Sequence, residues 1–481
     1  MTVEVTVEEI QRPEVVASER EAKMAAEVDE KTVENAHNVK VCSEPKLVEK
    51  SSSYREESNY LSDLKESERK ALSELKSKLE EAILGNTLLK SEEKKEKDKE
   101  KEKPEIEATD KNPDEKPTTE EELEPKDDPK IEALEDISIW GVPLLPSKSS
   151  EGTDVVLLKF LRARDFKVNE AFEMLKRTLI WRADSKIETI LEEDVGADLA
   201  SAAYMKGTDR ENHPVCYNIF GVFGNEELYQ KTFGTEEKRE EFLRWRFQFM
   251  EKGIKKLEFR PGGVTSILQI YDLKNCPGPS KKELRSATYK AIGLLQDNYP
   301  EMVARNVFIN VPFWYYAFYS IISPFLTQRS KSKFVVARPA KVTETLLKYI
   351  PMEEIPTHYG GFKRETDFEF AAEGGDVSEI VLKPGSTETI EIPAPEVGAT
   401  LMWDMAVLGW EVNYKEEFMP TDEGSYTIII QKEKKMDATE EPVRKCFRNN
   451  EPGKVVLTIV NHTKKKKRAF YRYKNQKTAC V

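Results

Sequence analysis

DNYPEMVARNVFINVPFWYYAFYSIISPFL, Asp297 to Leu326, is the stretch on which the reading of this chain turns. Its middle, NVFINV (306–311), is short, apolar and β-branched, as a buried strand is. Its end is the most apolar and aromatic run in an otherwise strongly charged sequence. A membrane-spanning helix needs about 20 predominantly apolar residues. Here Arg305, Asn306 and Asn310 lie on one side, Gln328 and Arg329 on the other, and Pro312 and Pro324 bracket the run. Crossing is not expected; burial or surface insertion stays open. Phe313, Ala317, Ile321 and Phe325 form one i, i+4 row, and Trp314, Phe318 and Ile322 the adjacent row, a broad apolar face. Tyr315, Tyr316, Tyr319 and Ser320 fall outside it, where Trp and Tyr rings suit a boundary between apolar and wet. On these residues alone, a static core helix and a helix that moves between core and bilayer are both open.

Upstream, VCYNIF (215–220) and VTSILQIYD (264–272) read as strands, and FVVA (334–337) follows downstream. Helical stretches separate them: EEKREEFLRWRFQFMEKGIKKL and KKELRSATYKAIGLLQDNY. Strands alternating with helices predict an α/β domain whose sheet is covered on at least one face, spanning 201–365 and ending near YGGF (359–362). A helical lead precedes it over 137–200. There Leu157, Leu158 and Leu161 share a face that Phe172, Leu175, Leu179 and Trp181 continue. From 376 to 475 the pattern becomes short runs punctuated by Gly, Pro and Asn, which predicts an all-β sandwich.

Residues 1–135 differ in composition and are expected to form a disordered acidic tail. They hold about 24 basic and 39 acidic residues of the chain's 75 and 88, so the net charge of −13 resides there and the rest is near neutral. SEEKKEKDKEKEKPEIE (91–107) cannot bury a core and is expected to be disordered. One helical segment interrupts the tail, near 61–83, with Leu61, Leu64, Leu72, Leu75, Leu79 and Ile83 at helical spacing. With fewer than four heptads, it is expected to form transiently or on a partner.

Several functions are poorly supported. An acidic chain lacks the basic footprint of a nucleic-acid binder. The five cysteines have no CxxC pair or zinc spacing, so free thiols in a reducing compartment are expected, with no metal and no cofactor. MTVEVTVEEI lacks the basic start and apolar core of a signal peptide, which points to the cytoplasm. Among four histidines, none belongs to HExxH, and neither GxSxG nor GxxxxGK[ST] occurs, so an enzyme is not expected. Asp272 in YDLKN reads as the end of a strand rather than a base, and Tyr359-Gly360-Gly361 as a backbone turn.

In order and spacing, FLRARDFKVNEAFEMLKRTLIWR, ILQIYDLKN, DNYPEMVARNVFINVPFWYYAFYSIISPFL and IPTHYGGF resemble a CRAL-TRIO lipid-transfer domain. The β region, with MWDMAVLGWEVNY and its last hairpin, resembles a GOLD domain. An acidic N-terminus followed by these two is the arrangement of the plant patellins. The resemblance implies a sheet that floors a cavity holding one phospholipid, with the aromatic helix as its gate. By motif, it implies head-group contacts at Arg164, Glu301, Ser330 and Lys333: two cations, a carboxylate and a hydroxyl, suited to phosphate and inositol. Met302 departs from the Arg that the family often carries there. Ile267, Gln269, Cys216 and Asn218 replace the choline-lipid set, favouring a phosphoinositide. Membrane trafficking, with cell-plate formation in cytokinesis, is the implied process, with the plasma membrane or cell plate as the site. A membrane-recruited scaffold, whose GOLD domain and tail bind trafficking proteins without moving lipid, is the alternative.

NHTKKKKRAFYRYK (461–474) sets Lys464, Lys465, Lys466, Lys467 and Arg468 at a turn between two strand-like runs. Near an anionic leaflet each is worth about 1 kcal/mol within a Debye length. Reversible docking on anionic membranes is expected from them; a solubilising hairpin tip is the plainer reading.

Overall fold

A computed structural model describes residues 54–89, 137–147, 150–278, 280–312, 329, 332–371 and 375–476. The gate-helix residues Phe313, Trp314, Ala317, Phe318, Ile321, Ile322 and Phe325, the hydroxyl residue Ser330 and most of the acidic tail lie outside them.

The first described α-helix corrects the expectation of a transient helix. Helix α1 (Glu66–Leu84) packs on α2 (Ser150–Ala163) and α3 (Val168–Asp184). Its Leu72, Leu75, Leu79 and Ile83 row is buried in one cluster with Ile139, Leu144, Leu157, Leu161 and Leu175. Glu68 accepts a hydrogen bond from the Lys65 amide at 3.0 Å, satisfying one free donor at the helix start. Tertiary burial, absent from any single helix, supplies the stability that so short a helix lacks in water. The described lead therefore starts at residue 54, well before 137. A small ribbon, β1 (Ser138–Ile139) and β2 (Val142–Pro143), turns at Trp140, whose ring stacks on Phe160, Phe259 and Tyr299 and ties lead to sheet.

The central sheet runs β3 (Ala203–Thr208), β4 (Pro214–Ile219), β5 (Ile267–Asp272), β6 (Val303–Ile309), β7 (Phe334–Val336) in that spatial order, with β3 antiparallel and the rest parallel. Helices α4 (Glu226–Phe233), α5 (Glu236–Ile254) and α6 (Lys282–Asn298) form the crossovers. Alternation splits the strands between two faces. Val215, Tyr217, Leu268, Ile270, Val307, Ile309 and Val335 point to a core shared with α7 (Val342–Leu346) and Phe362. Cys216 and Ile267, on the opposite face, meet Met250 and Ile254 of α5.

The all-β region is a sandwich of two four-stranded antiparallel sheets, as the sequence predicts. β8 (Ser378–Leu382), β10 (Thr400–Val407), β13 (Val443–Arg448) and β15 (Lys467–Gln476) form one in the order β13-β10-β15-β8. β9 (Thr387–Ala394), β11 (Val412–Pro420), β12 (Ile428–Met436) and β14 (Gly453–Val460) form the other in the order β12-β11-β14-β9. Trp403, Tyr414 and Phe418 are fully buried between them. The first sheet also leans on the α/β unit, since Ala406 and Phe470 belong to the core of Val342 and Leu346. The connecting segment is held by charge. Asp404 accepts from Arg444 (2.7 Å) and Arg472 (2.7 Å), and both arginines also reach Asp367.

Two sequence readings concern turns. Asp272 caps the sheet: its carboxylate accepts from the Lys274 amide, from Asn310 Nδ2 at 2.7 Å and from the Tyr359 hydroxyl at 2.7 Å. Gly361 of YGGF lies so close to Ile355 that any Cβ would collide with its carbonyl.

Candidate functional site

The sheet face that carries Cys216 bounds a small cleft, with room for about one water molecule, lined by Met205, Cys216, Arg246, Phe249, Met250, Ile267, Gln269 and Leu295. Its wall is mostly apolar. Its polar spot is built on the strand alternation: Arg246 donates to Asn218 Oδ1 (2.9 Å), and Asn218 to Gln269 Oε1 (2.9 Å). Ligand sites commonly measure about 300–1,000 Å³. The cleft is far smaller than that, so housing a lipid requires its walls to part.

A dense polar cluster adjoins this apolar region at Met302, which is buried with Cys216, Met250, Ile267 and Tyr299. That apolar setting accounts for methionine at this position. The preceding residue, Glu301, has φ +53°, a backbone region costly for a residue with a Cβ. Buried Lys159 of α2 holds the turn by donating to the Glu301 carbonyl (2.8 Å) and the Thr265 carbonyl (2.7 Å). The Glu301 carboxylate accepts from Lys333 Nζ at 2.7 Å and from Arg329 Nε at 2.9 Å. Burial would raise its pKa, but hydrogen bonds from Arg329 and the Lys333 charge outweigh this and hold it at about 2. Lys159 goes the other way: burial lowers it to about 7 despite Glu56 and Glu301 nearby.

Of the sequence-predicted set, the structure brings Glu301 and Lys333 together. Arg164 ends α2 with its guanidinium donating to the Ala163 carbonyl at 3.0 Å, and makes no bond to this cluster among the described residues. Arg162 faces the cluster in its place, on the same side of α2 as Lys159, three residues earlier. Arg329, too, was not singled out by sequence; it supplies the pairing that an arginine after Glu301 would have offered.

Sequence reasoning also missed a strap, residues 54–60, that crosses the cluster. Arg329 donates to both Glu57 oxygens (2.8 and 3.0 Å), and Arg162 Nε lies 2.9 Å from Glu57. Arg162 further donates to Asn59 Oδ1 and the Ser58 carbonyl, each at 2.6 Å. The Tyr54 ring stands 5.0 Å from Lys333 Nζ, a cation–π distance. Glu56 reaches deeper, accepting from Ser266 and lying 2.9 Å from His213 Nε2, while His213 Nδ1 lies 2.9 Å from Asp209. Burial would lower the imidazole pKa, but its bonds to Asp209 and Glu56 win and push it up to about 9. The signal available was EE at 56–57 next to a helix start, which composition alone assigns to the tail.

The basic turn forms as predicted in place but not in membership. Asn461, fully buried, donates to the carbonyls of Lys383 (3.0 Å) and Lys465 (2.9 Å) and shapes it. Lys464, Lys465 and Lys466 are exposed. Lys467 is buried and donates to the Gly409 carbonyl (3.2 Å), and Arg468 is engaged by Glu379 (2.5 and 2.8 Å). Of the five predicted cations, Lys467 is thus spent on the fold and Arg468 is paired at the surface. Among the described residues, no helix is long and apolar enough to cross a membrane, and no group of three or more His, Cys, Asp or Glu could hold a metal ion.

Three family descriptions match in succession: "CRAL/TRIO, N-terminal domain" over 71–177, "CRAL/TRIO domain" over 200–361 and "Patellin-1-like, C-terminal GOLD domain" over 383–467. Patellin-4 of Arabidopsis thaliana is 54% identical, covering 99% of each chain, and Patellin-3 of the same plant is 46% identical over 88% of this chain and 77% of its own. The phosphatidylinositol transfer protein SFH5 of Kluyveromyces lactis is 28% identical over 50% of this chain and 80% of its own. With both CRAL-TRIO parts and the GOLD domain in place, and a full-length relative more than half identical, this chain belongs to the patellin family.

Proposed function

We propose that the protein is a phosphoinositide-binding carrier or presenter of lipid that acts at anionic membranes in trafficking. Glu301 and Lys333 hold the head group, the cleft beneath α5 and α6 takes the hydrocarbon, and the segment from Phe313 to Phe325 gates it. The observation that carries this reading is that Glu301, paired with Lys333, is followed directly by Met302, which is buried with the cleft-lining Cys216, Met250 and Ile267. A phosphoinositide needs both chemistries side by side: charge-assisted bonds for phosphate, and an apolar wall that removes about 0.8 kcal/mol per CH2 from water. The Kluyveromyces lactis relative, a phosphatidylinositol transfer protein, supports the same ligand class. Lys464, Lys465 and Lys466 dock the carrier reversibly on an anionic leaflet. Binding and release, not catalysis, are its work; cell-plate formation is the process the patellin relationship favours. Transfer of labelled phosphatidylinositol between vesicle populations tests it. A carrier moves label, and Glu301→Ala slows the movement.

The scaffold reading has one observation of its own. Tyr426, Ile428 and Ile429, at the opposite end of the sandwich from the basic turn, are 91%, 42% and 58% exposed. Such side chains suit a protein partner. A scaffold would bind vesicles without moving label.

A further inference from the structure

The strap places a carboxylate where the proposed head-group reading needs a phosphate. Glu57 takes both oxygens to Arg329 and one to Arg162, the bidentate geometry that arginine also offers to phosphate. The Glu57 side chain is 47% exposed, whereas that of Arg162 is 7% exposed. Moving the strap takes Glu57, Ser58 and Asn59 from Arg162 together, and an incoming anion replaces the bonds they gave. Exchange of one anion for another is therefore the low-cost route, and it is open to solvent on the Glu57 side. Charge sets the class of the incoming anion. With Glu57 present, Arg162, Arg329 and Lys333 face two carboxylates, Glu57 and Glu301. With Glu57 gone, they face one, leaving a surplus of two positive charges. A phosphodiester, at about −1, only restores the balance that Glu57 already gives, whereas a phosphomonoester, at about −1.5 to −2, meets the whole surplus and so outcompetes the carboxylate.

We propose that Arg162 and Arg329, with Lys333, form a phosphomonoester site whose resident occupant is the chain's own Glu57, and that an inositol head phosphorylated on its ring displaces the strap. This rests on the head-group reading of Glu301 and Lys333 and adds to it the selective residues and the competitor. The strap has a fixed end for such a movement. Tyr60 lies against Gly262, where φ is +72° and a Cβ would collide with its hydroxyl, and α1 beyond it is docked into the lead. Glu56, tied to His213 and Ser266, is the second catch.

The test uses the full chain. Dissociation constants are measured on phosphatidylcholine vesicles carrying either phosphatidylinositol or a phosphatidylinositol monophosphate, for wild type, Glu57→Gln and Arg329→Gln. Tryptic cleavage after exposed Arg55 is followed by mass, with the same vesicles and with soluble inositol bisphosphate. The monophosphate vesicles are expected to bind about tenfold tighter than the phosphatidylinositol vesicles, Glu57→Gln to tighten that binding about fivefold by removing the competing state, and Arg329→Gln to weaken it. Cleavage after Arg55 is expected to accelerate with the monophosphate vesicles and with the soluble compound. If vesicles bind but Glu57→Gln leaves affinity unchanged, or cleavage does not respond, the strap inference is overturned and the carrier reading stands. If no variant binds vesicles, the carrier reading falls; the phosphate site then survives only if the soluble compound frees Arg55, and otherwise falls with it.

Discussion

Glu301 concentrates the argument at the scale of single residues. Its positive φ costs about 1–3 kcal/mol, and is held by Lys159 from beneath and Lys333 and Arg329 from the side. Lys333→Ala is expected to cut phosphatidylinositol transfer about tenfold, the order of one charge-assisted bond, measured between vesicle populations; unchanged transfer would remove Lys333 from the site. The cluster also sets a pH response. Glu56 and Glu301 are lowered to about 2 from 4.5, so the stability they contribute is present above about 4.5 and lost as pH falls toward 2. His213, facing Glu56 and Asp209, is raised to about 9 from 6.5: its contribution is full below 6.5 and lost as pH climbs through 9. Lys159, lowered from 10.5 to about 7, gives the folded state a gain across that alkaline span and offsets His213. Thermal melting against pH should show a steep acid limb and a flat span from about 7 to about 9, and that span should turn upward in His213→Gln. A His213→Gln profile identical to wild type would contradict this. Glu301 and Lys333 were legible because short motifs carry them. Arg162, Arg329 and Glu57 were not, because their pairing joins residues as far apart as 272 positions, which no local pattern encodes.

At the scale of elements, α1 shows what periodicity does and does not specify. The leucine spacing marks a helix and its apolar face; whether a groove exists to receive that face depends on α2 and α3, which begin 66 and 84 residues after α1 ends. Leu79→Ala, at a fully buried position, is expected to cost about 2–5 kcal/mol in urea unfolding. A transient helix would make that substitution silent. β3 escaped reading for the opposite reason: AYMKGT has no apolar alternation, and it is a strand because it pairs with β4 at the sheet edge. In the sandwich, Glu416 is buried and accepts from the Tyr414 hydroxyl (2.9 Å) and Trp403 Nε1 (3.4 Å). Burial raises its pKa, so its contribution is full below the unfolded value near 4.5 and lost as pH rises through the folded one. At neutral pH it is a liability, and Glu416→Gln is expected to stabilise the fold by about 1 kcal/mol in thermal melts at pH 7 and by less at pH 4. A lower melting temperature for that variant at neutral pH would refute the assignment.

The whole molecule is a helical lead, a cleft-bearing sheet and a sandwich bolted to it through Asp404, Asp367 and their arginines. Composition and strand–helix alternation were enough to read that order, since each domain keeps its own hydrophobic period. They could not reveal how the basic turn divides between Lys464–Lys466, which face solvent, and Lys467 and Arg468, the one buried and the other paired with Glu379. Replacing the three exposed lysines with Glu should weaken binding to anionic vesicles at least tenfold and flatten its dependence on salt. The most direct test of the account is native mass spectrometry of the full chain after incubation with phosphatidylinositol vesicles, beside Leu295→Trp, which fills the cleft from α6. The account predicts one phospholipid per wild-type chain and none in the filled variant. A wild-type chain that never carries lipid, or a filled variant that carries as much, would contradict it.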